Sequence, residues 1–146
     1  GGSSSTAAPV RDLKKLRDGI KATVKELSLS HEVSEAVQRI RELRIPEENQ
    51  AAEFVALLAV ISEEGNANSR PVCFRFAAKL FLDGVLSKSQ LPAAIVKFFL
   101  KYEDLRCDTP TLPKILLTEC LPALEELVPA GILAQDQLEA FAKRIQ

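Results

Sequence analysis

From Leu13 to Ile145 apolar residues return every three or four positions, and no segment alternates apolar and polar residues with period two. That pattern excludes sheets and calls for helices that each bury one face. Leu13, Leu16, Ile20, Val24 and Leu27 make one stripe, with Lys14, Lys15, Lys21 and Lys25 off it as a basic face. Val33, Ala36, Val37, Ile40 and Leu43 make a second, with Glu35, Gln38, Arg39, Arg41 and Glu42 outside. Pro46 suits the first turn of a third helix, and Glu47 and Glu48 follow at the positive end of its dipole. From Phe54 to Ile61 this helix is apolar nearly all round, which predicts a central element packed on several sides; Gly65 is its expected C′ residue.

A fourth helix is predicted from about Ser69 to Asp83, stopped by Gly84. A fifth opens at Ser87-Lys88-Ser89-Gln90, read as a capping box, and runs to about Tyr102. After a short loop, Asp108-Thr109-Pro110 opens a sixth that continues through Leu127. Gly131 breaks it, and a seventh covers Gln135 to Ile145. About seven helices joined by short loops predict an all-α fold of stacked antiparallel hairpins, a HEAT-like α-solenoid. Periodicity alone leaves an irregular helical bundle open. With 146 residues the chain suffices for one domain, placed at 10–146. Residues 1–9, GGSSSTAAP, are small and polar and read as a disordered linker. No charged stretch leads into an apolar one as in a signal peptide, and the longest apolar runs are broken well short of a membrane span.

Charge and chemistry narrow the function classes. Lys and Arg number 19 against 20 Asp and Glu, a net charge of −1, whereas domains held to nucleic acid by bulk electrostatics are usually strongly basic. The three cysteines, Cys73, Cys107 and Cys120, are scattered with no CxxC pair, so neither a disulfide framework nor a zinc site is suggested; they read as reduced, mostly buried thiols of an intracellular protein. There is one histidine, His31, and no HExxH, GxSxG, Walker or GxGxxG motif. The expectation is a protein that is not an enzyme, needs no metal or cofactor, and acts by binding. His31 reads as a left-handed turn residue rather than a ligand. Phe74, Phe76, Phe81, Phe98 and Phe99 read as core rather than an exposed aromatic surface.

Four stretches carry a resemblance. LSLSHEVSEAVQRIRELRIP (Leu27–Pro46), LFLDGVLSKSQ (Leu80–Gln90), YEDLRCDTPTLPKIL (Tyr102–Leu116) and GIL (Gly131–Leu133) occur in the order and spacing of an MA3 domain. The chain resembles that family from about Leu13 to Phe141. The resemblance implies stacked helical hairpins that bind a DEAD-box RNA helicase of the initiation factor 4A type, as in initiation factor 4 gamma scaffolds and programmed cell death protein four. It therefore implies a cytoplasmic, monomeric adaptor of translation initiation. The alternatives are an architectural module docking within its own parent protein, a nuclear splicing-factor relative binding a related helicase, or, given the basic face, an RNA-binding helical domain.

In that family an acidic loop meets basic residues of the helicase. The resemblance carries this role to Asp104 and Asp108, with Glu103 adjoining and Pro110 closing the motif. Beside it stands a local reading: Asp108 before Thr-Pro is an ordinary helix N-cap, which leaves Asp104 as the residue with no structural duty. Glu47 and Glu48 stand where the family often has an apolar or aromatic residue, and would add negative charge to the binding surface if the loops share one side.

Overall fold

The computed structural model describes residues 13–146 in full and residues 2–12 by backbone alone; the linker predicted over residues 1–9 lies outside the fully described part. The chain forms α1 (Gly2–Ser30), α2 (Val33–Leu43), α3 (Glu47–Ser62), α4 (Arg70–Leu82), α5 (Leu91–Leu100), α6 (Tyr102–Asp108), a composite α7 and α8 (Gln135–Ile145). Helix α7 is continuous through Leu112–Ile115, a π-helical stretch Leu116–Cys120, and Leu121–Glu125. No strand occurs among the described residues. The all-α stack of hairpins is as expected. It holds one helix more than the seven predicted, because α6 stands where a loop was expected.

Helix α3 occupies the centre. Phe54, Val55, Leu57, Leu58 and Ile61 are all buried, and the helix packs against α1, α4 and α5. An apolar circumference can be satisfied only by neighbours on several sides, which is why FVALLAVI sits here. Phe54 meets Phe81 of α4 edge-to-face, with centroids 4.9 Å apart. The aromatic residues are core, as expected: Phe74, Phe76, Phe81 and Phe98 are buried, and Phe99 lies half-buried beneath the Arg144 guanidinium, 4.3 Å above its ring. Burial pushes the Cys73 thiol up to about 11 and the Cys120 thiol up to about 12, so both stay protonated; Cys107 is exposed.

The corners are built by a few polar contacts. His31 takes φ 59°, the left-handed conformation expected of it, and its N–H donates to the Leu27 carbonyl at 2.8 Å. Ser69, fully buried at the start of α4, donates its hydroxyl to the Ser28 carbonyl at 2.6 Å. That uses the one hydroxyl proton, so the His31 Nε2, 3.0 Å from the same oxygen, is the donor there. Arg44, φ 52°, makes a second left-handed corner before α3 that the sequence did not flag.

Three local expectations are corrected. Pro46 is the N-cap residue rather than the first helical one. Gly65 is not in the left-handed region; α3 ends at Glu63, whose N–H reaches back to the Ala59 and Val60 carbonyls. The Ser87 capping box does not form. Gln50 of α3 supplies the acceptor instead, its Oε1 taking the Ser87 N–H at 2.7 Å, while its Nε2 donates to the Ile45 carbonyl at 3.1 Å. Gly84 and Gly131 do stop their helices, at φ 75° and 77°.

The π stretch has a local cause. Pro122 has no N–H, and its ring would crowd the Thr118 carbonyl in a regular α-helix. The preceding turn widens, the Leu121 N–H reaching the Leu116 carbonyl, and the helix continues past the proline. Glu119, carried on this widened turn, takes a forked pair of hydrogen bonds from Arg70, Nε to Oε1 at 3.0 Å and Nη2 to Oε2 at 3.1 Å.

Asp108 is also corrected. It is the last residue of α6 and caps nothing; Thr111 is the N-cap position of α7. An aspartate in a last turn faces the negative end of the dipole, which is mildly unfavourable. Asp108→Ala is therefore expected to leave thermal stability unchanged or slightly raised, within about 0.5 kcal/mol, whereas loss of an N-cap would lower it by about 0.5–2 kcal/mol. Leu58→Ala, by contrast, opens a cavity beneath a central helix and should cost about 2–5 kcal/mol in denaturant unfolding.

Candidate functional site

Tyr102, Leu105 and Thr109 set the inner side of α6. Tyr102 is buried and donates its hydroxyl to the Ile145 carbonyl at 3.2 Å, tying α6 to the end of α8; burial raises its phenol above the ordinary range. Leu105 is half-buried against the core. With that side fixed, Glu103, Asp104, Arg106, Cys107 and Asp108 are all exposed.

Asp104 and Asp108 stand four residues apart on this helix, so they share one face with Cβ atoms about 5–6 Å apart. The expected loop is thus a rigid helical platform, and the spacing itself brings the two carboxylates together. Neither is in an ion pair among the described residues. Like charges at this spacing oppose the helix by a few tenths of a kcal/mol. The roles weighed from sequence are also exchanged. Glu103 and Asp104 lie in the first turn, where an acid is locally favourable, and Asp108 at the far end is the residue with no structural duty.

Glu103 is not an equivalent of its neighbour. It takes a hydrogen bond from Arg106 Nη2 at 2.9 Å, and Arg106 also lies over the Tyr102 ring, 5.8 Å from its centroid. Pro110 is exposed in the turn between α6 and α7. Thr109 before it is extended, φ −131° and ψ 86°, as a residue preceding proline must be, so the chain leaves α6 in a fixed direction. Lys101 and Leu105 lie beside Ala59, Val60 and Glu63, which sets α6 at the C-terminal end of α3. Glu47 and Glu48 begin the same helix, roughly 20 Å away along its axis. They add nothing to the charge of the α6 surface.

The helical state of α6 was legible in part. Tyr102, Leu105 and Thr109 already keep the three-to-four spacing, and D-x3-D is a helical repeat. The acidic motif drew attention away from the apolar one beneath it.

Among the described residues no helix is long and apolar enough to cross a membrane, and no group of His, Cys, Asp and Glu is arranged to hold a metal. No individual curated protein matches the chain closely enough to stand beside it as a named relative. A family model described as the MA3 domain matches residues 16–133, which takes in α1 from its fourth heptad position of the basic face through the left-handed turn at Gly131 and covers every element of the acidic platform. The chain belongs to the MA3 domain family, and is a helical module for protein–protein interaction.

Proposed function

We propose that this domain is a non-catalytic adaptor of translation initiation that acts in the cytoplasm by binding a DEAD-box RNA helicase of the initiation factor 4A type through the Asp104–Asp108 face of α6. Membership of the MA3 family supports the partner class. The observation that carries the residue assignment is the pair itself: two exposed carboxylates on one helical face, neither ion-paired among the described residues, and Asp108 at the end of the dipole that disfavours it. A local arrangement that stability does not favour is what a binding face looks like before its partner arrives. Arg or Lys side chains of the helicase would relieve both the mutual repulsion and the dipole term, and the platform is already ordered, so little conformational entropy is lost on docking.

The test is calorimetry of the intact chain against the helicase at two salt concentrations. Asp104→Ala and Asp108→Ala are each expected to weaken binding several-fold, and the double substitution by at least tenfold, about 1.4 kcal/mol. The losses should shrink as salt rises, because the carboxylates are solvent-exposed in the free domain. Pro110→Ala should weaken binding less, acting only through the path of the chain. Single variants that bind like the parent would remove α6 from the interface. Replacing Lys14, Lys15 and Lys21 with Ala should leave helicase affinity within a few-fold, since exposed charges outside the contact act mainly on association rate.

A further inference from the structure

Helix α3 is apolar all round, yet its neighbours cover only part of it. Ala52, Ala56, Ala59 and Val60 fall on one face by helical spacing, and all four stay half-buried. Most of this face floors a cleft of ≈ 310 Å³. Ile20 and Lys21 of α1 form one wall, and Lys101 and Leu105 at the α5–α6 junction form the other. The floor residues Ala56 and Ala59 are small, so an inserted helix could approach α3 closely; interaxial distance is set by the side chains at the contact. From Ala56 to Glu63 the trough is about two helical turns long, the span of an i, i+3, i+4, i+7 set of apolar anchors.

The rim has a sign. Lys21 and Lys101 line the cleft from opposite walls, and neither is ion-paired among the described residues. Arg17 lines one end; its Nε is committed to Glu53, and Glu63 is the one acid that lines the cleft. Beyond Lys21 the same face of α1 continues to Lys14 and Lys25, both exposed. An apolar floor of small residues between cationic walls matches an amphipathic helix with acidic flanks.

We propose that this cleft is a docking groove for an acidic amphipathic helix of a partner protein, a second interaction surface separate from the Asp104–Asp108 face. Helix α6 serves both, lending Leu105 to the groove and its two aspartates to solvent. The proposal does not depend on which protein the aspartates contact.

The experiment uses the intact chain, isotope-labelled for NMR, and a synthetic peptide of about 15 residues with Leu at i, i+3, i+4 and i+7 and Glu and Ala elsewhere. A second peptide replaces each Glu with Lys. The acidic peptide should bind saturably and shift the amides of Ala56, Ala59, Val60 and Leu105, while the Lys peptide should not. The exposed double change Lys21→Glu with Lys101→Glu should weaken the acidic peptide at least tenfold with an unaltered melting temperature, and should leave helicase binding within a few-fold. Asp104→Ala should do the reverse. The absence of a saturable shift, equal binding of the Lys peptide, or indifference to the charge reversal overturns the groove. Displacement of the peptide by a single-stranded oligo-uridine at moderate salt overturns it in favour of a nucleic-acid surface.

Discussion

Burial of Phe54, Leu57, Leu58 and Ile61 between α1, α4 and α5 is the contact on which the stack is assembled, because each hairpin reaches the next by way of α3. Hydrophobic burial is strong but non-directional and leaves helices free to slide. Direction comes from a charge at the middle of the same helix. Glu53 is 1% exposed, and Arg17 of α1, 44% exposed, spans its two oxygens with Nε at 2.8 and 2.9 Å. A carboxylate taken this far from water is tolerable only while its partner holds position, so the pair fixes the register of α1 on α3 rather than adding much net stability. Gln50, one turn earlier, does the same toward the α4–α5 corner by bonding Ser87 and Ile45.

What the sequence disclosed follows from which interactions are local. Helix faces, the core phenylalanines and the breaks at Gly84 and Gly131 are encoded by spacing and by backbone freedom, and they were legible. The misread features depend on residues far apart in the chain. Ser87 looked like a capping serine because its own neighbours fit the box, yet the acceptor that won was Gln50, 37 positions away. Ser69 turned its hydroxyl toward Ser28 rather than capping α4, a choice made by a neighbour 41 residues earlier. Asp108-Thr-Pro carried a strong start signal. The apolar pair Tyr102 and Leu105, anchored on α8 and the core, drew the preceding residues into a helix that ends there instead. In the candidate site, the residues were legible from the motif and their shared face was not, since that follows only once α6 is helical.

The acidic face gains from the rigidity beneath it. Tyr102 anchors one end of a seven-residue helix to the last carbonyls of α8, and Pro110 fixes the other. A helix this short is marginal in isolation, so its order is a property of the tertiary frame. The MA3 fold here acts as a scaffold that keeps two mutually repelling charges at a set separation, with the cost of holding them spread through contacts that lie elsewhere.

The widened turn at Leu116–Cys120 bears on how a chain of this kind can change over time. A π turn holds one residue more than an α turn, so it amounts to a single-residue insertion absorbed within α7. Deleting any one residue there would restore the regular ladder but rotate everything after it by about 100° relative to what precedes it. Ala123 and Leu124 would leave their seats against α4, and the Gly131 turn would deliver α8 to a different azimuth, taking Phe141 and the Tyr102 anchor with it. The length of this stretch is therefore constrained more tightly than its composition. Substitutions that keep an apolar inner side can accumulate there, while a one-residue gap would displace a surface on the other side of the molecule.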